Sequence, residues 1–315
     1  MKFLINAFCI ILAFVSVVTS SSGDRSSEFK ICAIRCFQNN CNKNPTPLPL
    51  YLRITLWSCE DNCKYHCQRE ITQLSIKQGS KIHQYYGKWP FKRILGIQEP
   101  ASVIFSLLNG YFHYVSWKKI DLKVDRMNPS HLWLKIYVVI GVWVWSWSAI
   151  FHTRDFIFTE RMDYHSASIL VIYLLFIPTV YLVKGRGKRA AKNVFRILSA
   201  AYLYHVFYLQ FIAFSYRYNM IVNASIGLCA NIIWMVISYK LYRKNVKKFY
   251  VPVLLMLYTD VAFSLEALDF PPLLDMFDAH SLWHAATIPV TYWWYEWLIN
   301  VFSSTFETSI YNKAF

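Results

Sequence analysis

The sequence predicts an all-α fold: a seven-transmembrane helix bundle with an N-terminal disulfide-rich luminal domain. Three observations predict it. Of 315 residues, 56% are hydrophobic and 16% charged, well short of the quarter charged that is usual in soluble domains. Six of the eight cysteines fall between Cys32 and Cys67. The apolar runs after residue 101 are near 20 residues long and do not alternate, which suits helices rather than strands crossing a membrane. The formal net charge of +15 could point to nucleic acid. The basic residues, however, cluster in short loops between apolar runs, so they read as topology signals and no nucleic-acid partner is expected.

Residues 1–20 read as a signal peptide. Lys2 supplies the positive start, Phe3 to Val18 the apolar run, and Thr19, Ser20, Ser21 and Ser22 the small-residue flank. Cleavage is expected rather than retention as an anchor helix. Residues 21–100 then form a luminal cysteine-rich domain. Its cysteines make two triplets, Cys32, Cys36, Cys41 and Cys59, Cys63, Cys67, and an even number after a signal reads as a disulfide framework. Six cysteines allow 15 connectivities, and sequence does not choose among them. Spacings of four share one helical face. Two antiparallel helices stapled in nested order are therefore expected, Cys32 to Cys67, Cys36 to Cys63 and Cys41 to Cys59, with a turn at Pro45 to Leu50. Zinc is a competing use of these cysteines that the secretory context disfavours. Cys9 in the signal and Cys229 in an apolar run read as inert. The Asn44 and Asn128 sequons are each blocked by a following proline. Asn223 begins a formal sequon inside an expected helix and is expected to be unglycosylated.

Seven spans are expected within 101–303, at 101–117, 132–151, 166–183, 197–216, 220–239, 249–267 and 282–303. The loops after the first, third and fifth hold 15 basic residues, against Arg154, Arg161 and Arg217 in the opposite loops. By the positive-inside rule the first set is cytosolic and the N-terminus luminal. That agrees with the signal and the disulfides. Seven crossings leave residues 304–315 as a cytosolic tail.

This orientation places His152, at the end of the second span, on the same luminal face as His280 and His284, which open the seventh. Ser148 and His152 are one helical turn apart, and so are His280 and His284, the spacing two ligands of one metal need. Three imidazoles suit Zn²⁺ with a fourth position open, the mark of a catalytic site. Such a zinc would acidify a water for attack on an ester carbonyl. Asp163 would then move the proton, and Ser148 would face the oxyanion or orient a ligand. Each element has a plain reading: an interfacial His, a chance His-x3-His, a loop acid, a small packing residue. Their common depth and face are what favour a site. Asp260 and Glu296 are further acids inside spans; a buried hydrogen bond to Asn231, Gln210 or a tyrosine explains them as well as function does.

The pattern Ser-x3-His, Asp eleven residues on, then His-x3-His in the last helix resembles the CREST superfamily of seven-helix membrane hydrolases, which includes alkaline ceramidases and adiponectin-type receptors. WSCEDNCKYHC (57–67), YYGKWPF (85–91), WSAIFHTRD (147–155), TERMDY (159–164) and LDFPPLLDMFDAHSLWH (268–284) resemble one branch, the post-GPI-attachment-to-proteins factor 3 family of GPI-anchor lipid remodellers. The resemblance covers essentially the whole mature chain. His165 departs from it, standing where an aromatic residue is expected. The resemblance implies a zinc-dependent phospholipase that removes the unsaturated sn-2 acyl chain from GPI-anchored proteins. It also implies a Golgi membrane location, with the endoplasmic reticulum as the alternative, and no obligate protein partner is evident. An alkaline ceramidase-like amidase and a non-catalytic receptor or chaperone are the rival readings. The six-cysteine domain disfavours the first.

Overall fold

The computed structural model describes residues 21–43 and 47–303. The expected signal peptide, the first two residues of the expected turn, Pro45 and Thr46, and the expected tail lie outside the described residues.

Helix α1 (Ser27–Phe37) starts where the Ser26 hydroxyl accepts the Phe29 N–H, and it runs on as a π-helix over Gln38–Lys43. A short α2 (Leu50–Ile54) leads to α3 (Cys59–Lys77). There Ser58 and Asp61 form a reciprocal capping box, satisfying two backbone donors that a helix start leaves open. The disulfides are Cys32–Cys67, Cys36–Cys63 and Cys41–Cys59, with Cα separations of 5.8, 5.6 and 5.9 Å. This is the nested order expected of two antiparallel helices. Cys41 follows Cys36 by five residues rather than four, and the wider π turn keeps it on the stapled face.

Seven helices follow: α4 (Pro100–Lys123), α5 (Pro129–Thr153), α6 (Ile157–Val183), α7 (Lys188–Phe207), α8 (Tyr216–Arg243), α9 (Val251–Phe263) and α10 (Ala279–Ser303). Each expected span falls on one of them, α7 being extended by π-helical residues Tyr208–Ile212 and α9 by a 3₁₀ turn, Ser264–Ala267. Three of them rather than seven, α5, α6 and α8, are long and apolar enough to cross a membrane on length and composition alone. The other four differ for identifiable reasons. Helix α4 buries Ser102, Ser106, Asn109, His113 and Ser116 and ends in Lys118, Lys119, Asp121 and Lys123. Helix α7 begins with Lys188, Arg189, Lys192 and Arg196. Helix α9 has 13 residues, about 20 Å of rise. Helix α10 carries His280, His284 and Glu296.

Helices α4, α5, α6, α8, α9 and α10 close a ring, each packing on the next, with α7 set against the outside of α6. At Gly141 of α5 the His113 ring of α4 lies against the bare Cα, and any Cβ would overlap it. The apolar core occupies one end of the ring, where Ile120, Leu134, Val138, Ile177, Ile237 and Leu298 meet. Many large apolar side chains instead face outward, among them Leu107, Trp143, Phe195 and Val261, as helices solvated by lipid require. The polar side chains gather at the other end of the ring, beneath the disulfide-stapled helices.

Candidate metal centre

Three short stretches of chain bring the histidines together. Residues 98–99 lie against the end of α5, with the Gln98 and Glu99 N–H groups donating to the Thr153 and His152 carbonyls, both at 3.0 Å. Pro100 then begins α4, which needs no N–H at its first position. Helix α10 is capped by Asp278, whose Oδ1 accepts the Ser281 N–H at 2.8 Å. That cap places His280 in the first turn and His284 one turn later, both facing His152. Ring centroids are 5.1 Å apart for His152 and His280, 5.0 Å for His152 and His284, and 4.5 Å for His280 and His284. One ligand nitrogen from each lies within 4.8 Å of the others.

The outer face of each ring is held. His152 Nδ1 pairs with Glu99 Oε2 at 2.7 Å, His280 Nδ1 with Glu266 Oε1 at 2.7 Å, and His284 Nδ1 with Ser106 Oγ at 3.0 Å. A carboxylate only accepts, so the first two Nδ1 atoms carry a proton; each ring, when neutral, then turns an Nε2 lone pair toward the other two histidines. Ser106 is fully buried. Its hydroxyl donates to the Ser102 carbonyl at 2.7 Å and lies 3.0 Å from Ser148 Oγ. Ser106 has one proton for these neighbours; where it goes to Ser102, Ser106 accepts from both Ser148 and His284 Nδ1, and a neutral His284 then keeps its Nε2 lone pair.

The arrangement fits a metal. His152 and His280 bring their Nε2 atoms to 3.3 Å, a spacing at which either a proton shared by the two rings or a common cation must lie between them. Ligand nitrogens on a tetrahedral zinc, at 2.0–2.1 Å from it, stand about 3.3–3.4 Å apart. Carboxylates on the far nitrogen are also the usual support of metal-bound histidine.

Glu99 is the hub. Its Oε1 accepts from Lys88 Nζ at 2.5 Å, and Lys88 also reaches Asp155 at 3.1 Å. Burial alone would raise the Glu99 carboxyl, but Lys88 and His152 outweigh it and hold it well below the usual carboxylate range. Burial likewise lowers the Lys88 ammonium, and Glu99 and Asp155 more than restore it. Asn109 ties α4 to α10 by donating to the His284 carbonyl at 2.9 Å and accepting from Thr291 at 3.2 Å.

His152, His280 and His284 thus share one centre, and Ser148 contacts it through Ser106. Asp163, partly buried near the start of α6, lies near enough to His152 and His280 for their charges to act on its carboxylate. His165 lies outside the ligand set, its ring nitrogens without a partner of acceptable hydrogen-bond geometry. Asp260 accepts from Asn231 at 3.2 Å, and Glu296 pairs with Lys119 at 2.5 Å. The side-chain amide of Asn223 is engaged by Ser168 and Asn219 inside α8. Glu99, Lys88, Ser106 and Glu266 do not stand out in the sequence. The signals it offers for them are an acid directly before Pro100 at the border of an apolar run, and the spacing of Ser102, Ser106, Asn109, His113 and Ser116 along one face of the first span.

The five sequence motifs meet at this end of the ring. Arg154 pairs with Asp61 at 2.8 Å. Asp275 takes a bidentate pair from Arg69 at 2.7 and 3.0 Å. Trp89 and Gln84 donate to Asp269 at 2.8 and 3.0 Å.

The Per1-like family matches residues 49–301. "Protein PER1 homolog" of Schizosaccharomyces pombe is 32% identical, over 96% of this chain and 95% of that protein. "GPI-specific phospholipase A2-like PGAP3" of Homo sapiens is 36% identical over 89% of each. "Post-GPI attachment to proteins factor 3" of Drosophila melanogaster is 35% identical over 93% of each. No solved structure matches.

Proposed function

The chain belongs to the Per1-like family, and we propose that it is a metal-dependent acyl ester hydrolase that removes the unsaturated sn-2 chain from the lipid of GPI-anchored proteins. The names of the relatives supply the substrate. The observation that carries the chemistry is the convergence of three Nε2 atoms whose Nδ1 partners are already fixed.

His152, His280 and His284 would hold the ion, for which Zn²⁺ fits the all-imidazole donor set. A metal bound there supplies Lewis acidity, polarising the ester carbonyl and acidifying a water. Asp163 takes the proton that water loses and returns it to the glyceryl oxygen as the acyl C–O bond breaks, releasing a free fatty acid. Glu99 and Glu266 hold the imidazole tautomers that ligation needs. Ser148 acts through Ser106 on His284, the ligand-orienting role, because its hydroxyl lies 3.0 Å from Ser106 Oγ.

The organisation proposed is a luminal module over 21–100 and a seven-helix hydrolase unit over 101–303, crossing the membrane seven times with the C-terminal end in the cytosol. The asymmetry of basic loops supports that orientation. It puts the centre at the luminal interface, where a lipid exposes its glycerol esters while its tails stay in hydrocarbon. A Golgi membrane is the proposed location, with the endoplasmic reticulum as the alternative.

Complementation of remodelling-deficient cells tests the reading. Wild-type chain should shift the sn-2 chain of GPI lipids by mass spectrometry, and His152→Ala at equal abundance should not. Release of acyl chain from ceramide but not from GPI lipid would replace it with an amidase.

A further inference from the structure

A second feature lies directly against the centre. The seam between the disulfide-stapled helices and the end of α5 encloses a cleft of about 240 Å³. Its wall includes Lys88 and Asp155, the same pair that braces Glu99 and so His152. A molecule in this cleft is therefore separated from a metal ligand by two side chains.

The rest of the lining is aromatic and cationic. Trp57 lies between two guanidinium groups, with Arg93 4.7 Å and Arg154 4.2 Å from its ring centroid. Arg93 also sits 3.9 Å over the Tyr65 ring. The two arginines are close enough to repel each other. Arg154 has a carboxylate partner in Asp61, and Lys64 has one in Glu60. Among the described residues, the neutral Asn62 amide is the one side-chain hydrogen-bond acceptor of the Arg93 guanidinium, and its Nη1 has no acceptor. A half-buried cation with no anion beside it is costly, and a guanidinium is the group best shaped to take a phosphate. Tyr86 and Trp89 line the same cleft, Tyr86 largely exposed, and offer flat amphipathic faces of the kind a sugar ring covers. The volume is below the usual range for a drug-sized ligand, so it suits one phosphorylated ring rather than a long glycan.

We propose that this cleft is the head-group subsite of the hydrolase, taking the phosphoinositol portion of the anchor, with Arg93 receiving the phosphodiester and the aromatic side chains receiving the ring. The inference rests on the remodelling reading above. Through it the disulfide-stapled module selects lipids by their head group while the esters of the same molecule lie at the histidines.

The test uses purified full-length protein and a deacylated head group, glucosaminyl-glycerophosphoinositol. Binding to wild type should exceed that of inorganic phosphate. Arg93→Gln should weaken it roughly 10-fold or more, the usual scale of a hydrogen bond to a charged group, and Arg93→Lys should weaken it less. On GPI lipid, Arg93→Gln should raise KM by a similar factor with kcat little changed. Hydrolysis of a short-chain ester lacking phosphate should be unaffected. If thermal unfolding shows that Arg93→Gln is misfolded, Lys64→Gln at the rim carries the test, with a 2- to 5-fold weakening expected. Head-group affinity equal in wild type and in folded variants, or no better than that of inorganic phosphate, overturns the proposal. His284→Ala separates the two readings, because it should lose hydrolysis and keep head-group binding. Wild-type binding that depends on Arg93 without any hydrolysis would sink the hydrolase alone. Hydrolysis with binding indifferent to Arg93 would sink the subsite alone.

Discussion

Two polar clusters that hold buried histidine make a comparison in this bundle, and the first has the geometry of a metal centre while the second does not. In the first, His152, His280 and His284 each have Nδ1 held from outside, two by carboxylates and one by a hydroxyl, and their Nε2 atoms converge. In the second, where α6, α7 and α8 meet, His205 sits among Ser168, Asn219 and Asn223. Its Nε2 is 3.1 Å from Ser168 Oγ and 3.2 Å from Asn219 Oδ1, and its Nδ1 has no partner. An amide and a hydroxyl meet one nitrogen of that ring, and among the described residues no carboxylate stands behind the other. The difference teaches that the groups behind the rings, more than the number of rings, make a centre.

The largest effect should come from breaking the first cluster. His284→Ala removes one of three ligands and with it metal binding; several kcal/mol of transition-state stabilisation are lost, roughly a 10³-fold fall in hydrolysis or more. Metal analysis of the purified variant should show the ion gone. Full zinc occupancy in His284→Ala would mean the centre lies elsewhere. Next is Glu99→Gln, which keeps the shape and removes the charge behind His152. Loss of such support costs about 10- to 100-fold in metal affinity or activity. Titration of the apo-protein with zinc reads it, and unchanged affinity would leave Glu99 a salt-bridge partner of Lys88 and nothing more.

The serine pair should give a smaller effect and a sharper distinction. Ser106→Ala removes a hydrogen-bond partner from both Ser148 and His284, each bond contributing about 1 kcal/mol, so a loss of activity of up to roughly 30-fold is expected. If Ser148 acts through Ser106, Ser148→Ala should cost no more than Ser106→Ala. The double variant should then cost less than the product of the two, because the residues form one unit. A lone oxyanion donor would behave differently, with Ser148→Ala lowering kcat by about 10²- to 10³-fold whatever stands at position 106.

Much of this was legible in the sequence because it is periodic. Cysteines at spacings of four and five, histidines at spacings of four and runs near 20 residues all follow from the helical repeat, so the stapled helix pair, the three clustered histidines and the seven helices had signals in spacing. Contacts made by single residues from irregular chain were not legible. Glu99 reaches His152 because residues 98–99 fold back on α5, and Glu266 reaches His280 from a 3₁₀ turn. No local rule pairs positions 53 or 14 residues apart. Ser106 had a signal in its polar stripe, but inside a span a serine reads first as a small packing residue. Hydropathy singles out α5, α6 and α8; α4 and α10 carry the polar side chains of the histidine cluster, which sets their composition apart.

The smallest effect should come from the second cluster, and that contrast is what the comparison stands on. His205→Leu removes an imidazole that is almost fully buried. Asn223 still donates to Ser168 at 3.1 Å and to Asn219 Oδ1 at 2.9 Å, so neither is left without a partner. Leucine is apolar and of similar bulk, and the unpartnered Nδ1 disappears with the ring. The balance is a loss of one hydrogen bond, about 1 kcal/mol, against relief of a buried unsatisfied nitrogen of comparable size. Thermal unfolding in detergent should therefore move by only a few degrees in either direction, with zinc content and hydrolysis within about 2-fold of wild type. A His205→Leu protein that folds yet loses its metal or its activity would mean that the α6–α7–α8 cluster belongs to the catalytic machinery after all. The rule that carboxylates and converging nitrogens mark the site would then be too narrow for this bundle.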